Sequence, residues 1–265
     1  MRPRSGFTLP ELLIAMTVAL ALVGGGYFML NMATDVYKRI SGHEDGALQM
    51  KKAARRIQVD LQASNPTLTS VDVSPGTVGN DGDAVWMLST ASGDEASGNT
   101  NVTETGAPYW QRNVLYYPAR PNGDTCAGIT DADGYEDGCP HKTILRKVID
   151  SPPATVPLAS GGNPAADKEE LLPGIAVYLT RPTGFGTAGM MGEPSITHAE
   201  IIAVNILTMR VEKDPDPNAP GELKVTFQTF NEDAGRRTTA IGSTNLGNHA
   251  KTLTHVVSVF PRNKI

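Results

Sequence analysis

From Leu12 to Leu30 the chain carries no charge, and immediately before that run stands a carboxylate, Glu11. A helix needs ~20 apolar residues to cross a hydrocarbon core, so the run is long enough to span. It is also longer than the ~7–15 apolar residues of a secretory signal. Upstream lie Met1–Gly6 with Arg2 and Arg4, a short basic leader that favours the cytoplasmic side and sends the C-terminal bulk outward. No small-x-small cleavage box follows the run. An acid at the head of such a segment is costly unless paired. Two readings stay open on these residues alone. Glu11 either starts the helix, where the dipole favours an acid and Pro10 suits the first turn, or awaits a cationic partner.

The string Gly6-Phe7-Thr8-Leu9-Pro10-Glu11-Leu12 resembles the class III signal of type IV pilins and pseudopilins. The resemblance covers about the first 30 residues. It implies cleavage by the prepilin peptidase between Gly6 and Phe7, methylation of the new Phe7 amine, and pairing of Glu11 with the amine of a neighbouring subunit. Physical chemistry agrees, since an ammonium and a carboxylate buried in lipid each need the other. Pro10 departs from the usual aliphatic residue there. The proline frequent further down the family's helix is missing, and Gly24-Gly25-Gly26 lies nearby instead. Those glycines suit either a stretch that unwinds on assembly, close helix packing, or tolerance in lipid.

Beyond the run, Val36, Ile40, Ala47, Met50, Ala54, Ile57 and Leu61 recur at steps of three and four, predicting one apolar helix face to about Ala63. Gly42 and Gly46 weaken that stretch, and Asn65-Pro66 stops it. One helix of more than 50 residues results, half in lipid and half packed on an exported domain. The expected divisions are leader 1–6, membrane or filament-core helix 7–33, amphipathic helix 34–64 and a β-rich domain 65–265.

Frequent Gly and Pro with few aromatics point to loop-rich β structure. Strands are expected at Ser70–Val73 and Ala84–Ser89 as a hairpin, at Asn113–Pro118 and Lys142–Ile149 as a pair, and at Gly174–Leu179, Ala199–Leu207, Leu223–Thr229 and His255–Phe260 as a second antiparallel set. Ser92–Gly106, Ser151–Lys168 and Glu232–Asn248 read as loops, and Glu212–Gly221 as a turn. The fold class is α+β: a pilin-like long N-terminal helix on an antiparallel sheet, with room for a second β lobe. Trp86, Trp110, Tyr116 and Tyr117 fit core or cross-strand positions better than an exposed adhesive surface.

Cys126 and Cys139 form an even pair in an exported chain, which reads as a disulfide around a loop 126–139. Its closure would contribute roughly 3 kcal/mol. Between them Asp131, Asp133 and Asp137 offer alternating oxygen ligands, as Ca²⁺ loops do. Tyr135 and Lys142 break the EF-hand pattern, so the segment is either a looser calcium site or a solvated acidic turn. No cofactor is required. No nucleophile elbow, HExxH, P-loop or dinucleotide fingerprint is present, so no enzyme class is indicated. A net charge of −5 with no basic cluster disfavours a nucleic-acid partner.

The Ala-Arg-Arg-Ile-x-x-Asp-Leu run ending at Asp60-Leu61 and the closing Val-Val-Ser-Val-Phe-Pro-Arg-Asn are similar to PilW-type minor pilins. That resemblance implies a subunit that helps initiate pilus assembly near the tip. Its partners would be other minor and major pilins, the prepilin peptidase, the inner-membrane assembly platform and a large tip adhesin. It would lie in the inner membrane first and in the extracellular pilus afterwards. Two alternatives stand beside it: a J-like minor pseudopilin of a type II secretion system, and a membrane-anchored exported enzyme or binding protein.

Overall fold

In the computed structural model the described residues are 8–73, 82–89, 110, 112–122, 142–150, 155–156, 168–169, 171–184, 186–230 and 252–261, without the side chains of 35–43, 155–156, 168–169, 230 and 252. A single helix, α1 (Leu9–Ala63), runs for 55 residues, straight through Gly24-Gly25-Gly26. Among the described residues nothing lies within 4 Å of where a Cβ on those three glycines would point, so no described neighbour requires them. The helix ends at Ser64, whose N–H and hydroxyl both bond the Leu61 carbonyl, at 3.1 and 2.7 Å. Asn65 then accepts from the Thr67 N–H at 2.9 Å and starts a short 3-10 turn, Pro66–Leu68.

Strands β1 (Thr69–Asp72), β2 (Ala84–Ser89), β3 (Arg112–Ala119), β4 (Lys142–Ile149) and β7 (Ile196–Ile206) form one antiparallel sheet in the order β1-β2-β3-β4-β7. Strands β8 (Thr208–Lys213), β9 (Leu223–Phe230) and β10 (Thr252–Val259) form a second, ordered β10-β9-β8. Two residues each, β5 (Thr155–Val156) and β6 (Lys168–Glu169) pair with each other, the first inside the span Ser151–Lys168 expected to be all loop and the second across its end. The hairpin β1–β2 and the pairing of β3 with β4 are as expected, with Tyr116 opposite Arg146.

Two expectations are corrected. Gly174–Leu179 is not a strand: Ala176–Tyr178 is a 3-10 turn that lays Leu172, Ile175, Tyr178 and Leu179 on the back of the five-stranded sheet. The strand expected at Ala199–Leu207 does not join the second set. As β7 it pairs with β4, and the chain crosses to the second sheet at a corner where Asn205 takes a left-handed φ of 57°. Strand β8 was not anticipated.

The α1 residues Met50, Ala53, Ala54, Ile57 and Leu61 pack between the front of the five-stranded sheet and the inner face of the three-stranded one. Because segment 171–196 covers the back, every residue of β2 and β4 is buried. Sheets covered on both faces read as continuous apolar runs rather than alternating ones. Gly46, expected only to weaken the helix, sits where α1 approaches β9: a Cβ there would lie 3.0 Å from the Thr229 hydroxyl.

Gly82 and Asp83 tie the two sheets together. The Asp83 N–H bonds the Met209 carbonyl at 2.9 Å and its carboxylate takes the Val211 N–H at 2.7 Å. Gly82 holds φ 142°, and a Cβ on it would stand 2.6 Å from Pro118 Cγ and 2.7 Å from the Met209 oxygen. Backbone strain and overpacking each cost about 1–3 kcal/mol. Gly82→Ala is therefore expected to lower stability by about 2–6 kcal/mol. Thermal unfolding of the full chain in detergent checks this, and an unchanged midpoint would contradict it.

Candidate functional site

The first site is the head of α1. Glu11 lies in the first turn, and its carboxylate accepts the Thr8 N–H at 2.9 Å and the Thr8 hydroxyl at 2.8 Å. This bond satisfies one of the orphan donors at a helix start. From Leu9 to Thr34 the helix is apolar, 26 residues long and not buried by any of the described residues. At 1.5 Å per residue it spans about 39 Å, enough for a hydrocarbon core with tilt to spare. The segment is thus a lone apolar rod with a carboxylate at its tip. Gly6 and Phe7, the expected cleavage and methylation positions, lie outside the described residues.

The second site is a set of charges built into the core. Strand β4 buries three cations, Lys142, Arg146 and Lys147, each no more than 1% exposed. Arg146 faces α1. Its Nε is 2.7 Å from the Asp60 carboxylate and 3.1 Å from the Tyr116 hydroxyl, and its Nη1 is 3.3 Å from Glu200. Tyr116 in turn donates to Asp60. Burial first, then the neighbouring Asp60 charge, pushes the Tyr116 hydroxyl well above its ordinary value, so it stays a neutral donor. Arg56 on α1 reaches Glu200 at 3.4 Å. The helix is therefore keyed to strands β3 and β4 through Asp60, and to β7 through Arg56 and Glu200.

Lys147 points to the opposite face. Its Nζ donates to the Tyr178 carbonyl at 2.8 Å, the Thr180 hydroxyl at 2.8 Å and Glu193 at 2.6 Å. The Tyr117 ring lies 5.6 Å away, and the Tyr117 hydroxyl bonds the Thr180 carbonyl at 2.7 Å. These bonds clamp segment 171–193 onto the sheet. Lys142 Nζ closes the set, donating to the Leu207 carbonyl at 2.7 Å where β7 leads into β8.

Burial holds the Lys147 ammonium below its ordinary value, while Glu193 opposes that fall. A lysine with a lowered folded value gives up its proton in the folded state first. Its burial penalty is thus fully present below the folded value and fades as pH rises towards the unfolded one. Glu193→Gln is expected to move the Lys147 titration, followed by lysine-selective NMR, further down; an unmoved titration would contradict the pairing.

Trp86, Trp110, Tyr116 and Tyr117 are all buried, as expected of core aromatics. Cys126, Cys139, Asp131, Asp133 and Asp137 fall outside the described residues. Among the described residues no group of three metal-ligating side chains gathers. Sequence reasoning missed the buried charges of β4. The one signal available was Asp60, an acid on the apolar face defined by Ile57 and Leu61.

Residues 1–27 match the family model described as the prokaryotic N-terminal methylation motif. No curated protein and no solved structure matches the chain. The matched segment contains Gly6, Phe7 and Glu11 together with most of the apolar rod, which runs from Leu9 to Thr34. Motif and rod together fit a subunit anchored in the inner membrane that later assembles into an extracellular fibre.

Proposed function

We propose, for a chain with the N-terminus of type IV pilin-like and pseudopilin proteins, that it is a minor pilin of PilW type. It is a structural subunit, not an enzyme, built at low copy into a type IV pilus at or near its tip. The observation that carries this reading is an unburied 26-residue apolar helix, headed by Glu11 and fused without a break to the helix that organises the β domain. Such a rod has two apolar environments available, lipid before assembly and the helices of neighbours after it. The only charge in it then needs a cationic partner in both.

Its partners are other minor and major pilins, the prepilin peptidase and the inner-membrane assembly platform, with a large tip adhesin beyond them. A β domain this large, with long connections, is easier to place at a tip than along a crowded shaft. Immunogold labelling of purified filaments tests the placement: label confined to filament ends supports it. Label in a secretion complex, with loss of exoprotein secretion on deletion, would turn the reading to the type II pseudopilin.

A further inference from the structure

The packed half of α1 has a second face. The residues that contact the sheets are Gly46, Met50, Ala53, Ala54, Ile57, Asp60 and Leu61. Opposite them a stripe of Leu48, Lys51, Lys52, Arg55 and Val59 stands in solvent, with Leu48 63% and Val59 53% exposed. Among the described residues Lys51, Lys52 and Arg55 have no ion pair, although Arg56 beside them reaches Glu200. No acid lies one turn away from any of the three. Their neighbours at three and four residues are Ala47, Leu48, Gln49, Ala54, Gln58, Val59 and one another or Arg56. Lys51 with Arg55 and Lys52 with Arg56 are like charges at i,i+4, a spacing that weakens an isolated helix.

We propose that this stripe is a docking surface for a carboxylate-bearing surface of a neighbouring pilin-like subunit. The proposal rests on the functional reading above and names the chemistry of one contact within it. Uncompensated cations between two exposed aliphatics make a charged centre with apolar ends, which an acidic protein surface satisfies on both counts. This chain shows that such a surface exists on a subunit of its kind: its net charge is −5, and the β8–β9 turn exposes Asp214 and Asp216.

Lipid is not the occupant. Lys51 lies 17 residues beyond Thr34, the end of the apolar rod, or about 25 Å along the axis. Headgroups extend only roughly 5–8 Å from the hydrocarbon. Nucleic acid is disfavoured by the chain's negative field and has no use for the flanking Leu48 and Val59.

The test places a photo-crosslinking residue at Val59 of the full chain in cells, with and without Lys51→Glu, Lys52→Glu and Arg55→Glu together. All four positions are exposed, so the β domain should melt unchanged. The expected result is a crosslink from position 59 to another subunit, mapped to an acidic peptide. The charge-reversed chain should lose it at least tenfold while still being cleaved after Gly6. A crosslink of equal yield in both chains, or one to lipid or nucleic acid, would overturn the proposal. Failure of cleavage in the unaltered chain would instead overturn the pilin reading beneath it, so the two failures are told apart.

Discussion

Asp60→Ala is expected to lower the stability of the β domain by about 3–5 kcal/mol, the cost of breaking a buried ion pair by removing one member. Arg146 is 1% exposed, and it would lose the shorter of its two described ion pairs, 2.7 Å to Asp60 against 3.3 Å to the one-third-exposed Glu200. Tyr116 would lose the acceptor for its hydroxyl. For a chain of this size each kcal/mol shifts the melting point by ~2–4 °C, so a fall of about 6–20 °C should be seen by circular dichroism in detergent. The double replacement Asp60→Leu with Arg146→Met removes both charges together and is expected to cost far less than either change alone. Equal losses in the single and double variants would mean that packing volume, not charge pairing, holds α1 to the sheet.

Glu11→Ala is expected to leave cleavage after Gly6 intact and to cut incorporation into filaments by about 100-fold. That corresponds to ~3 kcal/mol for a charge pair withdrawn from water. The Glu11 carboxylate bonds the Thr8 N–H and hydroxyl, so a loss in the alanine variant has two explanations, a missing helix cap or a missing charge. Glu11→Gln separates them. It keeps an oxygen to cap Thr8 but cannot pair with a neighbour's ammonium. The same loss in the glutamine variant, read by quantitative blotting of sheared filaments, assigns the effect to charge. Full recovery with glutamine would reduce Glu11 to a helix cap.

The parts of this molecule that follow local rules were legible in the sequence. The apolar run, the three-and-four spacing of Met50, Ala54, Ile57 and Leu61, and the stop at Pro66 yield α1 within a residue or two. The Tyr116 and Leu145 strands announce themselves by β-rich runs and pair with each other. What the residues could not reveal was tertiary. Thr208–Lys213 follows β7 with only Leu207 between, and no Gly or Pro marks the corner at Asn205, so β8 is hidden inside one apparent strand. Gly174–Leu179 has a strand's composition, but its apolar side chains serve as a cover for the sheet. Lys142, Arg146 and Lys147 are residue types that ordinarily stay in solvent. They are buried because both faces of β4 are covered, and their partners come from as far as 86 residues away.

Glu11 is the opposite case: it stands out from its surroundings alone, an acid among apolar residues. The structure adds that the carboxylate is occupied locally by Thr8 and that, among the described residues, nothing buries the rod behind it.

Mass analysis of the N-terminus, on protein recovered from purified surface filaments, tests the central claim most directly. A chain that begins at N-methylated Phe7 and co-purifies with the fibres is the predicted result. A chain that still carries Met1–Gly6 in its working form and is found in no fibre or secretion assembly would contradict it.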